Sequence, residues 1–89
     1  MIRESYIERK SCAIAKAAGW LVYKFTSPNQ KGVPDRVFVR AGRVVFAEFK
    51  APGKQATPLQ VRQIEKLREQ GMDVYVIDSV EDARNTFEG

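Results

Sequence analysis

Histidine is absent from this chain and cysteine occurs once, at Cys12. The first absence excludes Ser-His and Cys-His nucleophilic machinery and any histidine-ligated metal. The second excludes an internal disulfide and a structural zinc site, and Cys12 reads as a small buried residue in a reducing compartment. No apolar run approaches the roughly 20 residues of a membrane span. The first residues, Met1-Ile2-Arg3-Glu4-Ser5-Tyr6, contain no apolar h-region, so no secretory signal is expected. Internal repeats, low-complexity tracts and interdomain linkers are also missing. Chemistry, if present, falls to Asp, Glu, Lys, Arg, Tyr, Ser, Thr and Gln.

What is there suffices for one small core. The 89 residues are 44% hydrophobic and 29% charged, the range of an ordinary globular domain. A single domain over residues 1–89 is expected, with a radius of gyration of about 12 Å. Fifteen Lys and Arg against eleven Asp and Glu leave a net charge of +4, which mildly favours a polyanionic partner such as nucleic acid.

Hydrophobic periodicity and punctuation give the element order. A helix runs from about Arg3 to Ala18, with Ile7, Ile14 and Ala18 on its apolar face, and Gly19 stops it. Trp20 to Phe25 is β-branched and aromatic and reads as a strand. A loop punctuated by Pro28, Gly32 and Pro34 follows. Two strands, Asp35 to Arg40 and Arg43 to Lys50, flank Ala41-Gly42. After a Gly- and Pro-containing loop, Thr57-Pro58-Leu59-Gln60 opens a helix, with Thr as N-cap, Pro at the first position and Gln three residues on. Leu59, Ile64 and Leu67 supply its stripe, and Gly71 ends it. Val74 to Ile77 is a short, wholly apolar strand, expected inside the sheet. Ser79 caps a last helix ending near Phe87. The fold class is α/β, in the order α-β-β-β-α-β-α, with one mixed sheet flanked by helices.

The central hairpin carries the chemistry. A two-residue turn at Ala41-Gly42 sets Arg40 opposite Arg43, Val39 opposite Val44, Val37 opposite Phe46 and Asp35 opposite Glu48. This register places the apolar residues on one face, with Asp35, Glu48 and Lys50 at its far end. Opposed Cβ atoms lie about 4.5–5.5 Å apart. Two bare carboxylates at about 4 Å repel by roughly 4 kcal/mol at an effective dielectric of 20, so a proton or a divalent cation is expected between them. Carboxylates that grip a hard cation, beside a lysine, form the composition of a hydrolytic site.

Gly32-Val33-Pro34-Asp35, a strand pair and then Glu48-Phe49-Lys50 resemble the PD-(D/E)XK nuclease superfamily. The whole chain looks like a stand-alone virus-type replication-repair nuclease (VRR-NUC) domain, with a restriction-endonuclease-like core. The resemblance implies Mg²⁺ or Mn²⁺ held by Asp35, Glu48 and the backbone carbonyl of Phe49, with Lys50 as the catalytic lysine. It also implies cleavage of DNA phosphodiesters and, for small stand-alone members, Holliday-junction resolution by homodimers. Bacterial or phage origin and a cytoplasmic setting go with it.

Gln60 matches the family's active-site glutamine, and it also fits a capping box with Thr57. The acid of the first helix is read as Glu4, which also sits nearer the apolar face, with Glu8 as the alternative. Glu4 precedes Ile7 by the family's spacing, whereas Ser5 to Glu8 could itself be a capping box that leaves Glu4 outside the helix. Lys31, Lys54 and Arg36 are the candidate DNA contacts, the two lysines lying in loops flanking the carboxylates. Trp20, Tyr6 and Phe25 are candidates for a dimer interface. Two readings of other classes stand beside the nuclease: a binding module that kept the fold without catalysis, and a subunit targeted by a partner protein.

Overall fold

The computed structural model of the chain describes residues 1–89. Its elements follow the expected order: α1 (Glu4–Ala17), β1 (Leu21–Lys24), β2 (Arg36–Arg40), β3 (Arg43–Phe49), α2 (Pro58–Glu69), β4 (Asp73–Ile77) and α3 (Val80–Phe87). The radius of gyration is 12.3 Å. The strands lie side by side as β1-β2-β3-β4, antiparallel except for the parallel pair β3-β4. The apolar run Val74–Ile77 therefore lies in an edge strand and not an interior one. Its apolarity comes from the helices on the two sheet faces, which cover Ile77 from one side and Val74 from the other, while Tyr75 and Val76 stay exposed.

Strand alternation sorts the sheet into two unlike faces. Phe38, Val45, Ala47, Phe49 and Ile77 form the core face, each at most 1% exposed, under Ile7, Cys12 and Ala15 of α1 and Ala83 and Phe87 of α3. Trp20 joins this core, not an interface: it is 3% exposed, its Nε1 donates to the Phe87 carbonyl at 3.0 Å, and its ring meets Phe87 edge-on at 5.5 Å. Phe25 is also occupied, tilted against Phe46 at 5.2 Å between ring centroids. The opposite face carries Leu21, Tyr23, Val37, Val39, Val44 and Phe46, the apolar set that the register places together. α2 lies on that side toward β4, burying Gln63 and Ile64, while Leu59 stays 44% exposed. The stripe expected on α2 is thus narrower than its apolar residues suggest.

Two helix details also depart from the sequence reading. The buried face of α1 is Ile7, Ser11, Cys12 and Ala15, with Ile14 and Ala18 only partly covered. Small Ser and Cys side chains let α1 approach the sheet closely; nothing in the structure accounts for the buried Ser11 hydroxyl having no hydrogen-bond partner. The N-cap of α1 is Arg3, without a side-chain cap, so Glu4 lies inside the first turn and no Ser5–Glu8 capping box forms.

The hairpin register is the expected one from Arg36↔Ala47 to Arg40↔Arg43. Ala41 and Gly42 both have positive φ, 49° and 81°, the signature of a type I′ turn. Alanine in that region costs about 1–2 kcal/mol. Ala41→Asn should accordingly raise stability by about 0.5–1 kcal/mol, read as a higher urea midpoint at unchanged slope.

Candidate active site

The loop before β2 brings Asp35 to the mouth of the sheet. Gly32 adopts φ +86°, and a Cβ there would fall 2.9 Å from the Leu59 side chain and backbone. Only glycine permits this approach of the loop to the start of α2. Pro34 is fully buried behind it. Asp35 does not continue the ladder: its amide donates to the Ala47 carbonyl at 3.0 Å, and its Oδ2 accepts the Phe49 amide at 2.9 Å. Direct opposition of Asp35 and Glu48 is thus replaced by a side-chain clamp onto the peptide that follows Glu48. Asp35 still lies close enough for its charge to raise the cost of ionising Glu48.

Glu48 is 2% exposed. Its Oε2 accepts from Gln60 Nε2 at 2.9 Å and faces Lys50 Nζ at 3.6 Å. Its Oε1 is buried with no partner at all. Burial first, then the charge of Asp35, pushes the Glu48 carboxyl up to about 7, with Lys50 opposing and Glu4 adding to the rise. Asp35 is also raised, mainly by burial, against the pull of the Phe49 amide.

Gln60 fills both of its candidate roles at once. Its Oε1 accepts from the Thr57 amide at 2.9 Å while Thr57 Oγ1 accepts from the Gln60 amide at 3.2 Å, completing the capping box. The other end of the same side-chain amide reaches Glu48. Lys50 is anchored by its backbone, whose amide donates to the Ile77 carbonyl at 3.0 Å, and its side chain is 12% exposed.

The two acids of α1 divide between the carboxylates. Glu4, exposed in the first turn, contributes its charge at Glu48, whereas Glu8 acts on Asp35. Glu8 is bound, with Oε2 accepting from Arg36 Nε at 2.7 Å. Arg36 is therefore an ion-pair partner as well as a candidate DNA contact. Lys31 and Lys54 are exposed in the flanking loops, as expected. The sequence pattern does not point to Asp78, whose Oδ2 accepts the Gly53 amide at 3.1 Å and ties down the loop after Lys50. An acidic residue closing an apolar strand is too common a pattern to mark it.

The donor set fits a hard divalent cation. It offers two carboxylates in a desolvated corner, one with an orphaned oxygen, and the peptide of Phe49 beside them. No three His, Cys, Asp or Glu side chains converge on one point. Oxygen donors of this kind are those that Mg²⁺ or Mn²⁺ take, with water and substrate phosphate completing the shell.

A four-stranded mixed sheet with two carboxylates and a lysine at one end of its central hairpin is the arrangement the sequence resemblance leads one to expect of a nuclease-type domain. The VRR-NUC domain family model matches residues 7–81. The chain is 42% identical over 80 residues to a protein of Acyrthosiphon pisum secondary endosymbiont phage 1 named "Putative nuclease p44", covering 89% of this chain and 86% of that one. A solved structure described as a VRR_NUC domain superposes with a TM-score of 0.89 at 26% identity, over 99% of this chain and 97% of the other. The chain belongs to the VRR-NUC domain family.

Burial of the carboxylate pair sets a pH dependence for the metal-free fold. An acid whose folded pKa is raised holds its proton while the unfolded chain has lost it. Stability should therefore fall as pH rises from about 4.5 to about 7 and then level off. The loss attributable to Glu48 is about 3 kcal/mol. Glu48→Gln should remove most of this slope and make the apo protein more stable than wild type at pH 8. Urea unfolding at pH 5 and pH 8 in chelator measures both.

Proposed function

We propose that the chain is a metal-dependent endonuclease that hydrolyses phosphodiester bonds in DNA. Branched substrates such as the four-way junction are its preferred class. The observation that supports this reading most directly is the orphaned Oε1 of Glu48, buried beside Asp35. Asp35, Glu48 and the Phe49 carbonyl would hold Mg²⁺ or Mn²⁺. Such a cation, when bound, neutralises phosphate charge and makes water a stronger nucleophile. The remaining work belongs to the chain. Gln60 holds Glu48 by one oxygen and leaves the other free. The Phe49 amide fixes Asp35 in the same manner. Lys50 keeps an ammonium at the edge of the pair, where it stabilises charge that develops on the phosphate. Glu4 adds an acidic group at the entrance. Lys31 and Lys54 meet the backbone on either side.

The working unit in this reading is a homodimer. Two strands must be cut to resolve a junction, and a two-fold pair of sites matches a two-fold substrate. The open sheet face offers a surface for it: Leu21 and Tyr23 are 56% and 53% exposed and Val44 is 38% exposed, with Val37, Val39 and Phe46 between them and no charged strand residue short of Asp35 and Glu48. Two chains of net charge +4 meet with least repulsion through such an uncharged patch. A standard interface of about 800 Å² per partner would cover roughly one-seventh of the 5794 Å² surface. The phage origin of the p44 relative supports a site of action in the cytoplasm of a bacterial host.

Cleavage of four-way junctions, flaps and linear duplex, compared with and without Mg²⁺ or Mn²⁺, tests the activity. Metal-dependent cutting with preference for the junction is expected. Asp35→Asn and Glu48→Gln should abolish it, and Lys50→Ala should slow it about 10²-fold or more with metal binding nearly unchanged. Glu4→Gln should impair it more than Glu8→Gln. Full activity in chelator would overturn the mechanism. Cutting that appears only with a partner protein would make the chain a nuclease subunit of a larger assembly.

Sedimentation at micromolar concentration tests the pairing. The wild type should run at twice 10.1 kDa, and Leu21→Glu with Val44→Glu should give a monomer that nicks but does not resolve junctions.

A further inference from the structure

A second cluster of charge lies away from the carboxylates, on the α1 side of the sheet. Ser5, Glu8, Arg9, Cys12, Ala13, Lys16 and Arg36 line a groove of about 410 Å³. The α1 residues recur three and four apart, so they form one stripe along the helix. From Ser5 to Lys16 this stripe is about 16 Å long at 1.5 Å per residue. Arg36 sits at its floor and is the residue after Asp35, so the groove runs up to the proposed active site.

The charges there are out of balance. Lys24 lies directly opposite Arg36 in the β1-β2 ladder, and like charges so placed destabilise a sheet unless something neutralises them. With Arg9 and Lys16, four cations share one carboxylate, that of Glu8. This is a net +3 out of the chain's +4. Arg36 is bonded to Glu8 through Nε alone, which leaves the outer edge of its guanidinium unbonded. Arg9 lies against the Tyr6 ring, 5.6 Å from its centroid, and it, Lys16 and Lys24 make no salt bridge.

We infer that this groove is a backbone-phosphate track that leads one nucleic-acid strand to Asp35, with Arg9, Lys16 and Arg36 as its phosphate contacts and Lys24 at its rim. A single small anion would need one cradle, whereas successive phosphates along a strand rise by about 3.4 Å each, so 16 Å of cationic stripe meets several of them. In this arrangement Glu8 fixes the direction of Arg36 through the 2.7 Å bond to its Nε. The inference rests on the nuclease reading for the identity of the polyanion.

The test is equilibrium binding of a fluorescent duplex and a four-way junction in chelator, where no cleavage occurs, measured across a series of KCl concentrations. The variants are Arg9→Ala with Lys16→Ala and, as a charge-matched control, Lys10→Ala with Lys66→Ala, which lie off the groove on α1 and on α2. All four side chains are exposed, so folding should persist, and circular dichroism checks it. The groove pair should lower the slope of log K against log[salt] by about 2, close to 0.9 per lost phosphate contact, while the control pair leaves the slope unchanged. In Mg²⁺ the groove pair should raise KM with kcat retained. A groove pair whose slope equals that of a DNA-binding wild type would overturn the track and leave the nuclease reading standing. A wild type that binds neither DNA would overturn both.

Discussion

The desolvation of Glu48 beside Asp35 is the constraint around which the rest of the chain is arranged. A carboxylate at 2% exposure loses the hydration that would normally stabilise its charge, and a second carboxylate nearby adds repulsion. The compensation arrives from separate parts of the chain. The Phe49 amide serves Asp35, while Gln60 of α2 and Lys50 at the end of β3 serve Glu48. The contact between Gly32 and Leu59 is what lets the Asp35 loop and the start of α2 come close enough for both carboxylates to be served. One oxygen of Glu48 is left without a partner in the protein, so the compensation is incomplete.

Gln60 shows how a local rule and a site requirement can be met by one side chain. An amide has a carbonyl and an NH₂ group. The carbonyl closes the capping box and the NH₂ group holds Glu48. Because the box fixes the rotamer, the donor reaching Glu48 is already placed when the helix starts. A glutamate at this position would cap equally well, yet it would bring a further negative charge against Glu48 and no donor. The choice of Gln over Glu is therefore a constraint from the site, not from the helix.

Much of this was legible in the sequence because alternation and turn length are local. The two-residue turn and the period-two pattern fix the hairpin register, and Arg36 to Arg40 pair as that pattern requires. The reading faltered where packing partners decide. One β4 residue is buried on each face, Ile77 on one and Val74 on the other, and strand composition alone does not separate that from an interior position. The buried stripe of α1 includes Ser11 and Cys12, which close approach selects for small size while a hydropathy pattern discounts Ser. Trp20 faces inward because the Phe87 carbonyl, far along the chain, takes its N–H. The Asp35–Glu48 pairing was right in proximity and wrong in form, since a side-chain bond to the Phe49 amide ends the ladder one residue early.

The two faces of the sheet are also unlike in what they can meet. One side of β1 to β3 presents only apolar residues until Asp35 and Glu48 are reached, and the side under α1 gathers cations at its margin. Arg36 shares the α1 side of β2 with Phe38, whereas Asp35, adjacent in sequence, leaves the ladder and accepts the Phe49 amide. That single peptide joins the cationic margin to the acidic site. A polyanion held along α1 would reach the carboxylates at the start of β2, where the groove residues Glu8 and Arg36 act on Asp35. The apolar face offers such a strand nothing, so it stays available for protein contact. In the proposed arrangement, strand alternation thus puts the cations that would hold a nucleic-acid strand and the apolar patch that would meet a second copy on opposite sides of the sheet.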